Sequence, residues 1–102
     1  MKNLTLEEAQ KIVQEFIEER NWQNPPEEII LHMLEEFGEV ARNALKLKNY
    51  GGQHTSDSPI NMDEEIADVF YCLLKLANTT NVDLTKAFTE KMDKNRKRFP
   101  PK

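Results

Sequence analysis

Apolar residues recur at helical spacing in four separate stretches of the chain. Leu6, Ala9, Ile12, Val13, Phe16 and Ile17 form the first, and Thr5 with Glu8 supplies a capping box at its start. This helix is expected to run to about Arg20. Asn21-Trp22-Gln23-Asn24 reads as a connector. Asn24 is the expected cap of a second helix, with Pro25 and Pro26 tolerated in its first turn and Glu27 and Glu28 favourable to its dipole. Its main apolar stripe is Ile30, Leu34, Phe37, Ala41 and Leu45, and it reaches about Leu47. Residues 48–61 hold paired glycines and a cluster of polar turn formers, and read as the one long loop. Asn61 with Glu64 then predicts a capping box for a third helix. That helix turns Ile66, Val69, Phe70, Leu73, Leu74, Leu76 and Ala77 inward and ends around residues 79–81. Asp83 caps a fourth, through Leu84, Ala87, Phe88 and Met92, which Pro100 and Pro101 terminate. The pattern predicts a single all-α domain over residues 1–102, without internal repeats.

Composition narrows the class. Three glycines are too few for the many turns of an all-β chain. No apolar run approaches the ~20 residues that span a bilayer. The polar first ten residues lack the apolar core of a signal peptide, and the single Cys72 has no internal disulfide partner. A reduced, cytoplasmic protein is the expectation. The net charge of −4 is unevenly distributed: −7 over residues 1–40, −2 over 41–90 and +5 over 91–102. A basic tail on an acidic body suits a phosphate ligand held between the two signs, nucleic acid, or simply a solvated helix end.

The acids that intrude on apolar faces carry more information. At about 100° per residue, Ile29, Met33, Glu36, Val40 and Leu47 share one narrow stripe of the second helix, so Glu36 interrupts a hydrophobic seam. Glu39 stands one turn further on. On the third helix Glu65 shares a sector with Cys72 and Leu76, and Asp68 follows three residues later. Ionised carboxylates on buried margins are costly unless something positive neutralises them, and no lysine or arginine lies on those stripes. Two such pairs on facing antiparallel helices would make an oxygen cage for a hard divalent ion, Mg²⁺ or Mn²⁺. Di-iron bundles add Glu-x-x-His ligands. Ile29 stands three residues before His32 and Gly51 three before His54, so that reading fails.

Leu34-Glu35-Glu36-Phe37-Gly38-Glu39-Val40 followed by Glu64-Glu65-Ile66-Ala67-Asp68-Val69-Phe70-Tyr71 resembles the paired signature of MazG-like nucleotide pyrophosphohydrolases, of the all-α NTP pyrophosphatase superfamily. The similarity extends to Glu19-Arg20-Asn21-Trp22, Val82-Asp83-Leu84 and the block from Lys91 to Pro100, and is greatest with short stand-alone members such as the dCTP pyrophosphatases. The resemblance implies a four-helix MazG-like bundle completed by homo-oligomerisation, as a dimer or a dimer of dimers. It also implies Mg²⁺-dependent cleavage of a (d)NTP to (d)NMP and pyrophosphate, a house-cleaning of the nucleotide pool. Glu36, Glu39, Glu65 and Asp68 are the implied metal ligands, in agreement with the face analysis.

Around that set, Glu35 is a candidate to orient or deprotonate the attacking water, or else an exposed helix glutamate. Lys91, Asn95 and Arg98 share one face of the fourth helix and could hold phosphates, or form a solvated basic end. Trp22 corresponds to a base-stacking position in the family, and could instead anchor the connector. Cys72 and Leu47 stand near positions where some relatives carry tyrosine and a second tryptophan, which leaves the preferred base open. Gly38 costs ~1 kcal/mol inside a helix, which suggests close helix approach. Cys72, His32 and His54 receive no role.

The competing reading is a non-catalytic helical interaction module. Net negative charge and the lack of aromatics interleaved in the tail argue against a nucleic-acid polymer as partner, and nothing points to a membrane. The second and third helices are apolar over arcs of about 160° and 180°, wider than the ~100° stripe a surface helix buries. A second copy of the chain is expected to cover the surplus.

Overall fold

The computed structural model describes residues 3–47 and 61–102. Among them lie four helices and no strand: α1 (Leu6–Glu19), α2 (Pro26–Leu47), α3 (Met62–Thr79) and α4 (Leu84–Arg98). The expected loop 48–61, with His54 and the glycine pair, falls outside the described residues apart from Asn61.

Local chemistry accounts for most helix ends. The Thr5 hydroxyl accepts from the Glu8 amide at 3.1 Å while the Glu8 carboxylate accepts from the Thr5 amide at 3.0 Å, so the capping box forms as expected. Asp83 accepts from the amides of Thr85 and Lys86 and caps α4. Two expected caps differ. Asn61 flanks α3 without a side-chain cap bond. Asn24 spends its amide elsewhere: its Nδ2 donates to Glu28 and its Oδ1 accepts from the Lys75 ammonium at 2.8 Å. The helix begins at Pro26 and the Pro25 carbonyl accepts from the Glu28 and Ile29 amides, so Pro25 holds the flanking position and Asn24 stands one residue before it.

The C-terminal ends of α1 and α3 share one solution. Asn21 and Asn81 adopt φ of 55° and 58°, the left-handed region that asparagine tolerates. Each donates its N–H back to the penultimate helix carbonyl, and the next residue donates to the carbonyl before that (Trp22 to Ile17 at 3.1 Å, Val82 to Ala77 at 2.8 Å). These are Schellman motifs with asparagine in place of glycine. The first of them fixes where Trp22 leaves the helix.

Helix α3 is central, packing against α2 and, less extensively, α1; α4 packs on α1. Both pairings of α3 are antiparallel. Asn24 meets Lys75 and His32 meets Cys72 across α2 and α3, while Gln10 meets Asn78 and Phe16 meets Tyr71 across α1 and α3. Gln10 also locks the start of α4, donating to the Val82 carbonyl and accepting from the Leu84 amide. The core is thin: Val13, Ile29, Cys72, Leu74 and Ala77, with Asn43 as a buried polar member.

The burial of α2 reverses one expectation. The narrow stripe Ile29–Met33–Glu36–Val40 turns toward α3, whereas the main apolar stripe turns outward, with Leu34 59% and Phe37 51% exposed. Ile66, Phe70 and Leu73 of α3 and Phe88 of α4 are exposed as well. The physical reason is geometric: α3 is one helix wide and covers only part of a 160° arc. The Cα radius of gyration, 16.9 Å, exceeds the ~13 Å usual for a compact domain of this length. Close approach at Gly38 is not found either, since a Cβ there would meet nothing within 4 Å.

Candidate functional site

The seam between α2 and α3 is polar along much of its length. On α3, Glu65, Asp68, Cys72 and Lys75 follow one another at three- and four-residue spacing on one face. Contrary to the sequence expectation, a lysine thus shares the face of the acids, two turns beyond Asp68 and bonded to Asn24. Because the helices are antiparallel, α2 answers in reverse order, with Glu36 opposite the acids, His32 opposite Cys72 and Asn24, just before the helix, opposite Lys75.

At the acidic end, Glu36, Glu65 and Asp68 each offer a carboxylate oxygen, and these oxygens lie within 4.8 Å of one another. Glu36 and Glu65 are half-buried, and Asp68 is exposed. Among the described residues no lysine or arginine is paired with any of the three; the ion pairs present are His32–Glu36 and Arg96–Asp93. Burial, and then the neighbouring charges of Glu39, Asp68, Glu36 and Glu64, push the Glu65 carboxyl above the ordinary glutamate range. Three carboxylates from two helices, crowded and with no lysine or arginine paired to them among the described residues, have the donor chemistry of a hard divalent metal site.

The other residues singled out from the sequence stand at differing distances from this cluster. Glu39 is exposed and its charge acts on Glu65, yet it lies outside the group whose oxygens converge within 4.8 Å. Glu35 is exposed on the neighbouring sector of α2 and takes no part in the cluster. Trp22, 47% exposed, packs its ring edgewise on Phe16 at 5.7 Å and lines a cleft of about 270 Å³ with Gln14, Asn24, Lys75 and Asn78. Both sequence readings of Trp22 therefore have a structural counterpart, an anchored edge and an accessible surface. Lys91, Asn95 and Arg98 lie on α4, which has no comparable packing against α2 or α3. Asn95 donates to the Met92 sulfur and Arg98 stacks over Phe99 at 5.0 Å, and among the described residues none of the three is hydrogen-bonded or ion-paired to the acids.

Two residues without a role in the sequence reading sit at the cluster. His32 Nε2 lies 3.3 Å from Glu36 Oε1, and its Nδ1 lies 3.7 Å from the Cys72 sulfur. Cys72 is only 1% exposed, as a small core residue would be. Burial pushes its thiol up, with Glu36 and Asp68 adding and Lys75 opposing. The i,i+4 spacing of His32 and Glu36 was the available signal; the partnership with Cys72 required the register of α2 on α3.

The MazG nucleotide pyrophosphohydrolase domain family matches residues 24–101. Human (Homo sapiens) dCTP pyrophosphatase 1 is 35% identical over 102 residues, covering 94% of this chain and 59% of its own length. The rat (Rattus norvegicus) protein of that name is 33% identical over 101 residues, with the same coverage. The chain thus spans about three fifths of the length of these curated relatives. The crystal structure of the Bacillus-conserved MazG protein, a nucleotide pyrophosphohydrolase, superposes with a TM-score of 0.75 at 28% identity, covering 92% of each chain. The YPJD protein of Bacillus subtilis superposes with a TM-score of 0.82 at 26% identity, covering 99% of this chain and 100% of its own.

Proposed function

Because the chain belongs to the MazG nucleotide pyrophosphohydrolase family, we propose that it hydrolyses nucleoside triphosphates to monophosphate and pyrophosphate with Mg²⁺, or Mn²⁺ in its place. The observation that carries this reading is the convergence of Glu36, Glu65 and Asp68 with no lysine or arginine paired to them among the described residues. Glu39, whose charge already acts on Glu65, is the fourth proposed ligand. Bound there, the ion would offset charge on the triphosphate and make water a better nucleophile.

The chain's own groups supply the remainder. The water oxygen bonds to the α-phosphorus, the α–β anhydride bond breaks, and pyrophosphate leaves with that bond's electron pair. Glu35, solvated and beside the ligand set, is proposed to take the proton that water releases. Trp22 offers a ring face to the base, in a cleft whose polar lining from Asn24, Lys75 and Asn78 could meet the base edge. Lys91, Asn95 and Arg98 are proposed phosphate contacts. Since these three make no hydrogen bond or ion pair with the acids within the described residues of one chain, a second subunit is the proposed source of that contact.

Self-association is part of the same proposal. Leu34, Phe37 and Leu45 on α2, with Ile66, Phe70 and Leu73 on α3, are too many exposed apolar side chains for an isolated chain of this size. A dimer or dimer of dimers would cover them. No helix among the described residues is long and apolar enough to cross a membrane. A cytoplasmic house-cleaning enzyme acting on the nucleotide pool is the proposed setting, with dCTP first among candidate substrates because of the names its relatives carry. The test is a panel of canonical and damaged (d)NTPs with Mg²⁺, following both pyrophosphate and orthophosphate. Pyrophosphate released stoichiometrically with monophosphate is expected. Orthophosphate alone, or no turnover of any triphosphate, would contradict the proposal.

A further inference from the structure

We propose that His32 is a positioning residue that presents its Nε2–H to Glu36 and is itself held in place by Cys72. The inference rests on the reading of Glu36 as a metal ligand and adds to it the group that fixes how that ligand points.

Three observations converge. On α2, side chains lean toward the helix N-terminus, so the Glu36 carboxylate tilts back over the turn that carries His32. The two meet at 3.3 Å, with the Glu36 side chain 19% exposed and that of His32 51%. Glu36 is thus largely withdrawn from water, and an N–H donor stands where water would otherwise solvate it. The second ring nitrogen of His32 meets the Cys72 thiol at 3.7 Å, reached from α3. The imidazole is therefore held at both nitrogens, and across two helices.

The hydrogen-bond inventory then sets the donor. A carboxylate oxygen only accepts, so the ring nitrogen that faces Glu36, Nε2, carries a proton. That proton faces Glu36 Oε1. No other group among the described residues makes an ion pair with Glu36, whose nearest like charges, Glu65 and Asp68, would otherwise drive it outward. With one oxygen occupied by His32, Glu36 is pinned in a single orientation. Outer contacts of this kind typically change metal affinity 10–100-fold.

An ordinary surface i,i+4 pair would have no such consequence, and Mg²⁺ binding by titration calorimetry separates the two. Four proteins are compared, each checked for wild-type helical content: wild type, Glu36→Gln, His32→Leu and His32→Gln. Glu36→Gln should lose Mg²⁺ binding. His32→Leu should raise the Mg²⁺ Kd by about 10–100-fold. His32→Gln, whose amide can both donate to Glu36 and accept from Cys72, should recover most of that loss. Wild-type affinity in His32→Leu, with binding lost in Glu36→Gln, overturns the positioning role and leaves the metal site standing. Wild-type affinity in Glu36→Gln overturns both. If His32→Leu does not fold, Cys72→Ala carries the test: weaker Mg²⁺ binding is expected, and unchanged affinity overturns the clamp.

Discussion

The face of α2 turned toward α3 holds the buried Ile29 but also the carboxylate of Glu36, whereas the face turned away holds Ile30, Leu34 and Phe37 in solvent. The same reversal occurs on α3, where Glu65 is half-buried and Ile66 is exposed. A helix optimised for the stability of one chain would exchange these faces. The proposed function accounts for both reversals with two different partners: a cation for the inner acids and a second copy of the chain for the outer apolar strip. Each can be removed separately.

The inner face should give the largest effect. Glu36→Gln keeps the shape of the side chain and removes its charge. Loss of a metal worth several kcal/mol in the transition state predicts a fall in pyrophosphate release on the order of a thousandfold. Helical content should be unchanged, while the Mg²⁺-dependent rise in melting temperature, expected of an ion bound only by the native state, should vanish. A full Mg²⁺ response in that variant would remove Glu36 from the ligand set.

The outer face comes next. Leu34→Glu places a charge on the strip without touching the acids. A buried leucine contributes about 1.5–3 kcal/mol, counted twice in a symmetric pair, so association should weaken by a hundredfold or more. Light scattering at micromolar concentration should show the variant shifting to monomer while the wild type stays associated. A wild type that is monomeric and fully active would show that neither core nor site needs a partner subunit.

A smaller effect is expected at the edge of the seam. Trp22→Ala should weaken nucleotide binding by about 1–3 kcal/mol, with less change at saturating substrate. Its edge contact with Phe16 makes a stability loss the competing outcome; a variant that unfolds, yet binds normally in its folded fraction, would make Trp22 an anchor only. The smallest effects concern the helix ends. Asp83→Ala should cost about 1 kcal/mol because its carboxylate caps α4. Asn61→Ala should cost much less by denaturant titration, since Asn61 makes no side-chain cap bond.

Much of this was legible in the sequence. Four helices, their approximate ends and the acidic intrusion of Glu36 and Glu65 follow from periodicity, because the 3.6-residue repeat is a local property. The Asp83 and Thr5 caps were legible for the same reason. The cap expected of Asn24 was not, because the helix begins at Pro26 and Pro25 holds the flanking position. Nor was the outward turn of Leu34 and Phe37: hydrophobicity says that a side chain favours burial and not which surface will bury it. His32 escaped notice because its meaning depends on Cys72, and the register of two antiparallel helices is not written in either one alone.

The acids between α2 and α3, Glu36 and Glu65 half-buried and Asp68 exposed, are proposed to be a divalent metal site. Crystals grown with Mn²⁺, with diffraction recorded at its absorption edge, test this most directly. An anomalous peak coordinated by carboxylate oxygens of Glu36, Glu65 and Asp68 is expected, with Glu39 drawn in as the fourth ligand. A well-ordered cluster with no anomalous density, or Mn²⁺ bound elsewhere on the chain, would contradict it.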